Sequence, residues 1–201
     1  MEEVKDFKYL GVVISATGGM ESELKHRITE ARKSAGIQDH MWRNRGVTVE
    51  VKRSMYEGIV IPTALYGSEA WIWSNNVARK LNVLEMSCLR KMLGVTLRDR
   101  IRNEEIRRRC GVDKTLSVRG EESVLRWFGH IERMEDARLT KKIHCANVEV
   151  ERRRGRPNKR WKDGVNELIY RKADASGLAR EDVKMSVHDR TKWRDFYRAK
   201  T

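Results

Sequence analysis

The stretch Asn75-Asn76-Val77-Ala78-Arg79-Lys80-Leu81-Asn82-Val83-Leu84-Glu85-Met86-Ser87-Cys88-Leu89-Arg90-Lys91-Met92-Leu93-Gly94 decides the fold class. Val77, Leu81, Leu84, Cys88 and Met92 recur at i, i+4, i+7, i+11 and i+15, the spacing of one apolar stripe on an α-helix. Gly94 stands where a left-handed C-terminal cap belongs. The same pattern repeats outward in both directions. Leu24, Ile28, Ala31 and Ala35 form a stripe upstream. Thr48 caps a helix that places Val51, Met55 and Ile59 on one side and that Pro62 is expected to stop. Downstream, Asn103 reads as an N-cap with Glu104 and Glu105 in the first turn and Cys110-Gly111 at the end. Helices carrying Leu125, Phe128 and Ile131, then Leu139, Ile143 and Ala146, then Trp161, Val165, Leu168 and Ile169, and finally Val183, Val187, Trp193 and Phe196 complete the chain. One segment differs. Phe7–Ile14 is aromatic and β-branched and ends at Thr17-Gly18-Gly19, which predicts a single strand and a turn. The expected class is mainly α with a short N-terminal β element. The expected divisions are 1–18, 19–147, and a basic loop plus C-terminal helices over 148–201.

Charge points to the partners. The 201 residues carry 43 Lys and Arg against 29 Asp and Glu, a net charge of +14. Such an excess speaks first for nucleic acid, with an acidic protein or a membrane surface as the other readings. Residues 98–201 hold 29 of the bases and 18 of the acids, so +11 of the excess follows Leu97. Arg98, Arg100 and Arg102 form one cluster, running toward Arg107-Arg108-Arg109 with acids between them. The second cluster is Arg152, Arg153, Arg154, Arg156, Lys159, Arg160 and Lys162, seven bases in eleven residues without an acid. That run meets counterions or phosphates, since it has no internal neutralising partner. Its Arg154-Gly155-Arg156-Pro157 core admits three readings: sequence-independent phosphate contact, insertion of two arginines into a narrow A·T minor groove, or a nuclear-import signal. No apolar run approaches the roughly 20 residues of a membrane span, and the acidic start is no signal peptide.

Other chemistries fit poorly. Cys110, His130, His144 and Cys145 are zinc-ligand types, but no Cys-x₂-Cys or His-x₃₋₅-His pair is present, so no metal site is expected. Three widely spaced cysteines argue against a disulfide framework and for a reducing compartment. No nucleophile–base set is legible, and no catalytic residue is assigned. Tyr9, Gly11, Trp127, His130 and Trp161 are candidates for supporting or stacking on a nucleic acid. The rings of Trp127 and Trp161, like those of Tyr66 and Trp71, read first as packing anchors and second as stacking platforms.

Five motifs in order carry a family resemblance: Phe7-Lys8-Tyr9-Leu10-Gly11, Tyr66-Gly67-Ser68-Glu69-Ala70-Trp71, Asp99-Arg100-Ile101-Arg102-Asn103, Trp127-Phe128-Gly129-His130-Ile131-Glu132-Arg133-Met134, and Gly155-Arg156-Pro157 leading to Trp161 and Asp163. Over about residues 4–197 the chain resembles the C-terminal part of a LINE-type (non-LTR) retrotransposon reverse transcriptase. It is nearest the RTE-like group, labelled endonuclease-reverse transcriptase or craniofacial development protein 2-like. The resemblance implies a last palm strand, a helical thumb-like bundle and a basic extension. It further implies binding to DNA, RNA or an RNA–DNA hybrid, cooperation with polymerase and endonuclease domains, and a nuclear or cytoplasmic ribonucleoprotein location. The family's polymerase centre needs carboxylates holding Mg²⁺ ions about 3.5–4 Å apart. This sequence contains no Asp-Asp pair, so the chain alone is expected to need no cofactor and to be inactive as a polymerase. A stand-alone, AT-preferring minor-groove protein derived from such an element is the alternative.

Overall fold

The chain starts with a β-hairpin and then runs through helices, as seen in a computed structural model that describes residues 6–15, 20–146 and 159–199. Strands β1 (Asp6–Tyr9) and β2 (Val12–Ser15) are antiparallel, with Phe7 opposite Ile14 and Tyr9 opposite Val12. The single strand expected over Phe7–Ile14 is therefore a hairpin. Leu10 and Gly11 both have positive φ, at 46° and 84°, which is the backbone of a two-residue turn whose twist matches the flanking strands. Glycine tolerates that conformation readily. The chain is mainly α-helical with this small sheet at its N-terminus.

The helices are α1 (Glu21–Ile37), α2 (Asp39–Arg43), α3 (Val49–Met55), α4 (Ile61–Ala64), α5 (Asn75–Leu93), α6 (Asn103–Cys110), α7 (Leu116–Glu132), α8 (Leu139–Cys145), α9 (Trp161–Ser176), α10 (Arg180–Ser186) and α11 (Arg190–Arg198). They fall into two compact units, Met1–Gly67 with Asn75–Arg119, and Ser68–Ser74 with Gly120–Thr201. The division passes through α7.

In the first unit, the stripes Leu24–Ile28–Ala31–Ala35 and Val77–Leu81–Leu84–Cys88–Met92 are all buried, as their periodicity requires. The helix between them differs from its sequence reading. Val51 and Ile59 are exposed, and Lys52, Tyr56 and Val60 face the core instead. Lys52 buries its aliphatic stem and donates Nζ to the Met92 carbonyl at the end of α5, 3.3 Å away, so a charged residue supplies apolar surface and a cap together. Thr48 does cap α3, accepting from the Val51 amide at 3.5 Å. Pro62 does not stop the helix. A π turn over Tyr56–Val60 separates α3 from α4, and the Ile61 amide reaches back to Tyr56. This wider turn shifts the register ahead of Pro62, which has no amide hydrogen to place, and α4 runs on to Ala64.

The second unit is organised around Trp193, which is buried on α11 and donates Nε1 to the Leu125 carbonyl at 2.9 Å. Its ring lies 5.9 Å from Phe128, 5.3 Å from Phe196 and 6.3 Å from Tyr197. Such tilted and edge-on pairs add about 0.5–1.5 kcal/mol each beyond burial. The Ser68–Ser74 segment belongs here too. Buried Trp73 donates Nε1 to Glu121 at 3.1 Å, and Glu121 also binds Arg171 at 2.6 Å.

Helix α8 also differs from its sequence reading. Leu139 and Ile143 are exposed, and Lys141 is buried. Polar bonds hold the helix, because Glu132 accepts from Lys141 Nζ at 2.9 Å and from His144 Nε2 at 2.8 Å. Burial pushes the Glu132 carboxyl up, but the bonds from Lys141 and His144 outweigh it and hold the group below its ordinary 4.5. A carboxyl lowered in the folded state stabilises fully above its unfolded pKa and loses that stabilisation as pH falls through the folded value. Urea unfolding of the whole chain is therefore expected to show stability falling as pH drops below about 4.5, with Glu132→Gln flattening that acid limb. An unchanged acid limb in the variant would refute the assignment.

Candidate nucleic-acid interface

Residues Thr96–Arg102 form a structured basic loop in the first unit. Thr96 and Asp99 build a capping box: the Asp99 carboxylate accepts from the Thr96 amide at 2.6 Å and its hydroxyl at 2.9 Å, and Thr96 Oγ1 accepts from the Arg98 amide at 3.2 Å. The Thr96 amide and then its hydroxyl hold the Asp99 carboxyl below its ordinary range. Arg100 takes a left-handed conformation, φ 52°, and the chain leaves for α6 directly afterwards. The loop's one acid is thus occupied by its own backbone. Arg98, Arg100 and Arg102 are exposed, and none forms an ion pair among the described residues.

The neighbouring arginines behave oppositely. Glu105 binds Arg108 and Arg109, each at 2.7 Å, and these two guanidiniums hold its carboxyl down to about 2. Arg107 turns inward to Glu85 at 2.8 Å. So every arginine of α6 meets a carboxylate, two within the helix and one on α5, and those of the loop before it do not. Asn103 does not cap α6. Its Oδ1 accepts from Arg90 Nη2 at 2.7 Å, and Arg102 occupies the cap position.

Tyr9 and Gly11 sit on the hairpin of the same unit. Tyr9 is exposed, while Gly11 offers its carbonyl to Arg27, whose guanidinium stacks on Tyr66 at 5.0 Å. Tyr66 in turn donates to the Leu10 carbonyl at 3.0 Å. The hairpin tip is thereby fastened to α1 and to the Tyr66 motif.

In the second unit, Trp127 and His130 lie one turn apart on α7 with ring centroids 5.4 Å apart, Trp127 half-buried and His130 exposed. Trp161 donates Nε1 to the Glu69 carbonyl at 3.0 Å, and its ring faces Phe128 and His144. Lys159 is tied to the Trp73 carbonyl at 3.0 Å and to the Glu167 carboxylate. Arg160 and Lys162 are exposed and unpaired by carboxylates among the described residues. Arg152, Arg153, Arg154 and Arg156 lie outside the described residues. The structure therefore brings Arg98, Arg100 and Arg102 together in one unit, and Arg160 and Lys162 in the other.

Arg79, Arg90 and Lys91, which lie outside the charge clusters legible in the sequence, stand on the outer side of α5 and line a groove of about 790 Å³. Their i, i+11, i+12 spacing on a helix whose other side is buried was the available signal. Cys88 and Cys110 are buried thiols, pushed up by that burial to about 12 and about 11, so neither is a ready nucleophile. Among the described residues no three His, Cys, Asp or Glu side chains converge to hold a metal ion, and no helix is long and apolar enough to cross a membrane.

The fold and these surfaces define a mainly α-helical, strongly basic chain with an exposed arginine cluster, unpaired by carboxylates among the described residues, on the Thr96–Arg102 loop. The chain is similar to a transposon-derived protein of Caenorhabditis elegans, with 27% identity over 201 residues covering 96% of this chain and 70% of that protein. No family model matches the chain, and no solved structure does. The similarity points to a transposable-element origin.

Proposed function

We propose that the chain is a nucleic-acid-binding portion, thumb and C-terminal extension, of a retrotransposon RNA-directed DNA polymerase. One observation carries the reading: Arg98, Arg100 and Arg102 stand exposed on a loop whose only acid is consumed by Thr96. The similarity to a transposon-derived protein and the ordered motifs supply the element. In the second unit, exposed Arg160 and Lys162 supply phosphate contacts of their own, and the acid-free sequence from Arg152 adds further bases. The partners are duplex DNA, RNA or an RNA–DNA hybrid, together with the polymerase and endonuclease domains of the element. The side chains described here do not fit the Mg²⁺ site of that polymerase, so no catalytic step is assigned to this chain.

Each phosphate neutralised contributes about −0.9 to the slope of log K against log salt. Changing Arg98, Arg100 and Arg102 together to Ala is expected to reduce the slope on a labelled duplex by about 2 to 3. An unchanged slope overturns the interface. The Arg154-Gly155-Arg156-Pro157 segment favours a second reading, AT-preferring minor-groove insertion. Preferential competition by poly(dA·dT) over poly(dG·dC), abolished by Arg154→Ala with Arg156→Ala, would establish it in place of the first.

A further inference from the structure

The groove along α5 is a different kind of surface from the arginine loop. It is lined by the face of α5 from Asn75 to Lys91 and by Val95, Leu97 and Asn103, all within the first unit. At about 1.5 Å per residue the α5 face is roughly 24 Å long, some four helical turns. Its apolar part is Ala78, Val83, Met86, Val95 and Leu97. Val83 is 57% exposed and Leu97 77%. Two such side chains open to water along one groove mark a contact surface more than they serve folding.

The rim is basic and incompletely neutralised. Arg79 is bonded to the neutral Asn76 amide at 3.2 Å and Arg90 to the Asn103 amide at 2.7 Å, and only Lys91 meets a carboxylate, Asp39 at 3.2 Å. No Asp or Glu lines the groove. Arg98, the next residue after Leu97, adds a further unpaired cation at this end.

This combination selects among occupants. Nucleic acid stacks on aromatic rings, and the groove has none, so bases would leave Val83 and Leu97 uncovered. A second copy of the chain carries +14 and is repelled by the same rim. The segment around Arg152 is basic as well. An amphipathic helix buries one apolar stripe, read at i, i+3, i+4 and i+7, and sets its flanking side chains against the rim. We infer that the α5 groove docks an acidic amphipathic helix of a protein partner, with apolar anchors over Val83 and Leu97 and flanking carboxylates on Arg79 and Arg90. The inference is independent of the nucleic-acid reading.

The test uses the full chain and a fluorescein-labelled helical peptide of about 18 residues, with a Leu stripe flanked by Glu. A second peptide has every Glu replaced by Lys. Saturable binding of the Glu peptide and none of the Lys peptide is expected, with affinity falling as salt rises. Val83→Asp and Leu97→Asp should each weaken it roughly tenfold or more. Both positions are exposed, so circular dichroism should match the parent. Duplex affinity of Val83→Asp should stay within about twofold. Equal binding of both peptides, or no binding of either, overturns the inference. So does Val83→Asp weakening the duplex rather than the peptide, which makes the groove a nucleic-acid surface. Loss of duplex binding on changing Arg100 and Arg102, with Glu-peptide binding to Val83 and Leu97 retained, keeps the two readings separable.

Discussion

Gly129→Ala is expected to destabilise the second unit by about 3 kcal/mol or more, from overpacking of about 1–3 kcal/mol and the loss of a buried hydrogen bond. A Cβ at position 129 would lie 2.2 Å from Trp193 Nε1 and 2.3 Å from Cδ1, far inside contact distance. Trp193 has no room to retreat, being 1% exposed and enclosed by Phe128, Phe196 and Tyr197. Moving the indole breaks its bond to the Leu125 carbonyl one turn upstream of the glycine. Arg133, whose Nη1 stands 3.0 Å from the same Cβ position, donates to the Val187 carbonyl at 2.6 Å and is disturbed too. For a unit of this size each kcal/mol shifts Tm by roughly 4–8 °C, so a fall on the order of 10 °C or more is expected in a thermal melt followed by near-UV circular dichroism. Gly36→Ala is the internal control, since nothing lies within 4 Å of its Cβ position on α1 and helical Gly→Ala is neutral or stabilising by up to about 1 kcal/mol. A Gly129→Ala melt indistinguishable from the parent would show that the close approach is not a packing constraint.

That prediction also locates part of the Trp127-Phe128-Gly129-His130 motif. Gly129 makes room for Trp193, Phe128 completes the ring cluster, and Trp127 and His130 remain on the outer side. Sequence alone could list these residues but not divide them, because the division depends on a tryptophan 64 positions away. What periodicity can see, it saw: the α1 and α5 stripes are buried as read. It failed where burial is done by residues classed as polar. Lys52 in α3 and Lys141 in α8 face inward because each finds an oxygen acceptor, the Met92 carbonyl and Glu132, while apolar Val51, Leu139 and Ile143 are left to solvent. Leu10 and Gly11 lack the Asn-Gly signal of a two-residue turn, so the sequence alone presents Phe7–Ile14 as one strand. Ser68–Ser74 joins Gly120–Thr201 through bonds such as Lys159 to the Trp73 carbonyl, 86 residues apart, and no local pattern announces that. The arginine clusters were legible as composition. Which arginines stay unpaired was not, since it depends on Asp99 turning to Thr96 and Glu105 turning to Arg108 and Arg109.

The same logic of inward-facing charge gives the largest expected effect in the first unit. Glu85 sits on the buried side of α5 with 0% exposure. One carboxylate oxygen accepts from Arg107 Nε at 2.8 Å and the other from the Leu116 amide at 2.7 Å. A single side chain thus ties α5 to α6 and satisfies one of the orphan amides at the start of α7. Tyr56 lies in its field: burial first, and then the Glu85 charge, push the phenol well above its ordinary value, which keeps it neutral. Removing one member of a buried ion pair typically costs about 3–5 kcal/mol, because the partner is left buried without its counter-charge. Here the partner is Arg107, whose side chain is 20% exposed and draws some relief from water, while the Leu116 amide has no such outlet. Glu85→Ala is therefore expected to cost about 3 kcal/mol or more in urea unfolding. Glu85→Gln keeps an acceptor for the Leu116 amide and loses the charge, so a smaller loss of about 1–2 kcal/mol is expected. Arg107→Ala in the Glu85→Ala background should add little, since the pair is already broken, and the resulting coupling energy measures the bond itself. A Glu85→Ala variant within 1 kcal/mol of the parent would mean that water or a rearranged acceptor replaces the carboxylate, and that α5, α6 and α7 are joined by apolar contact alone.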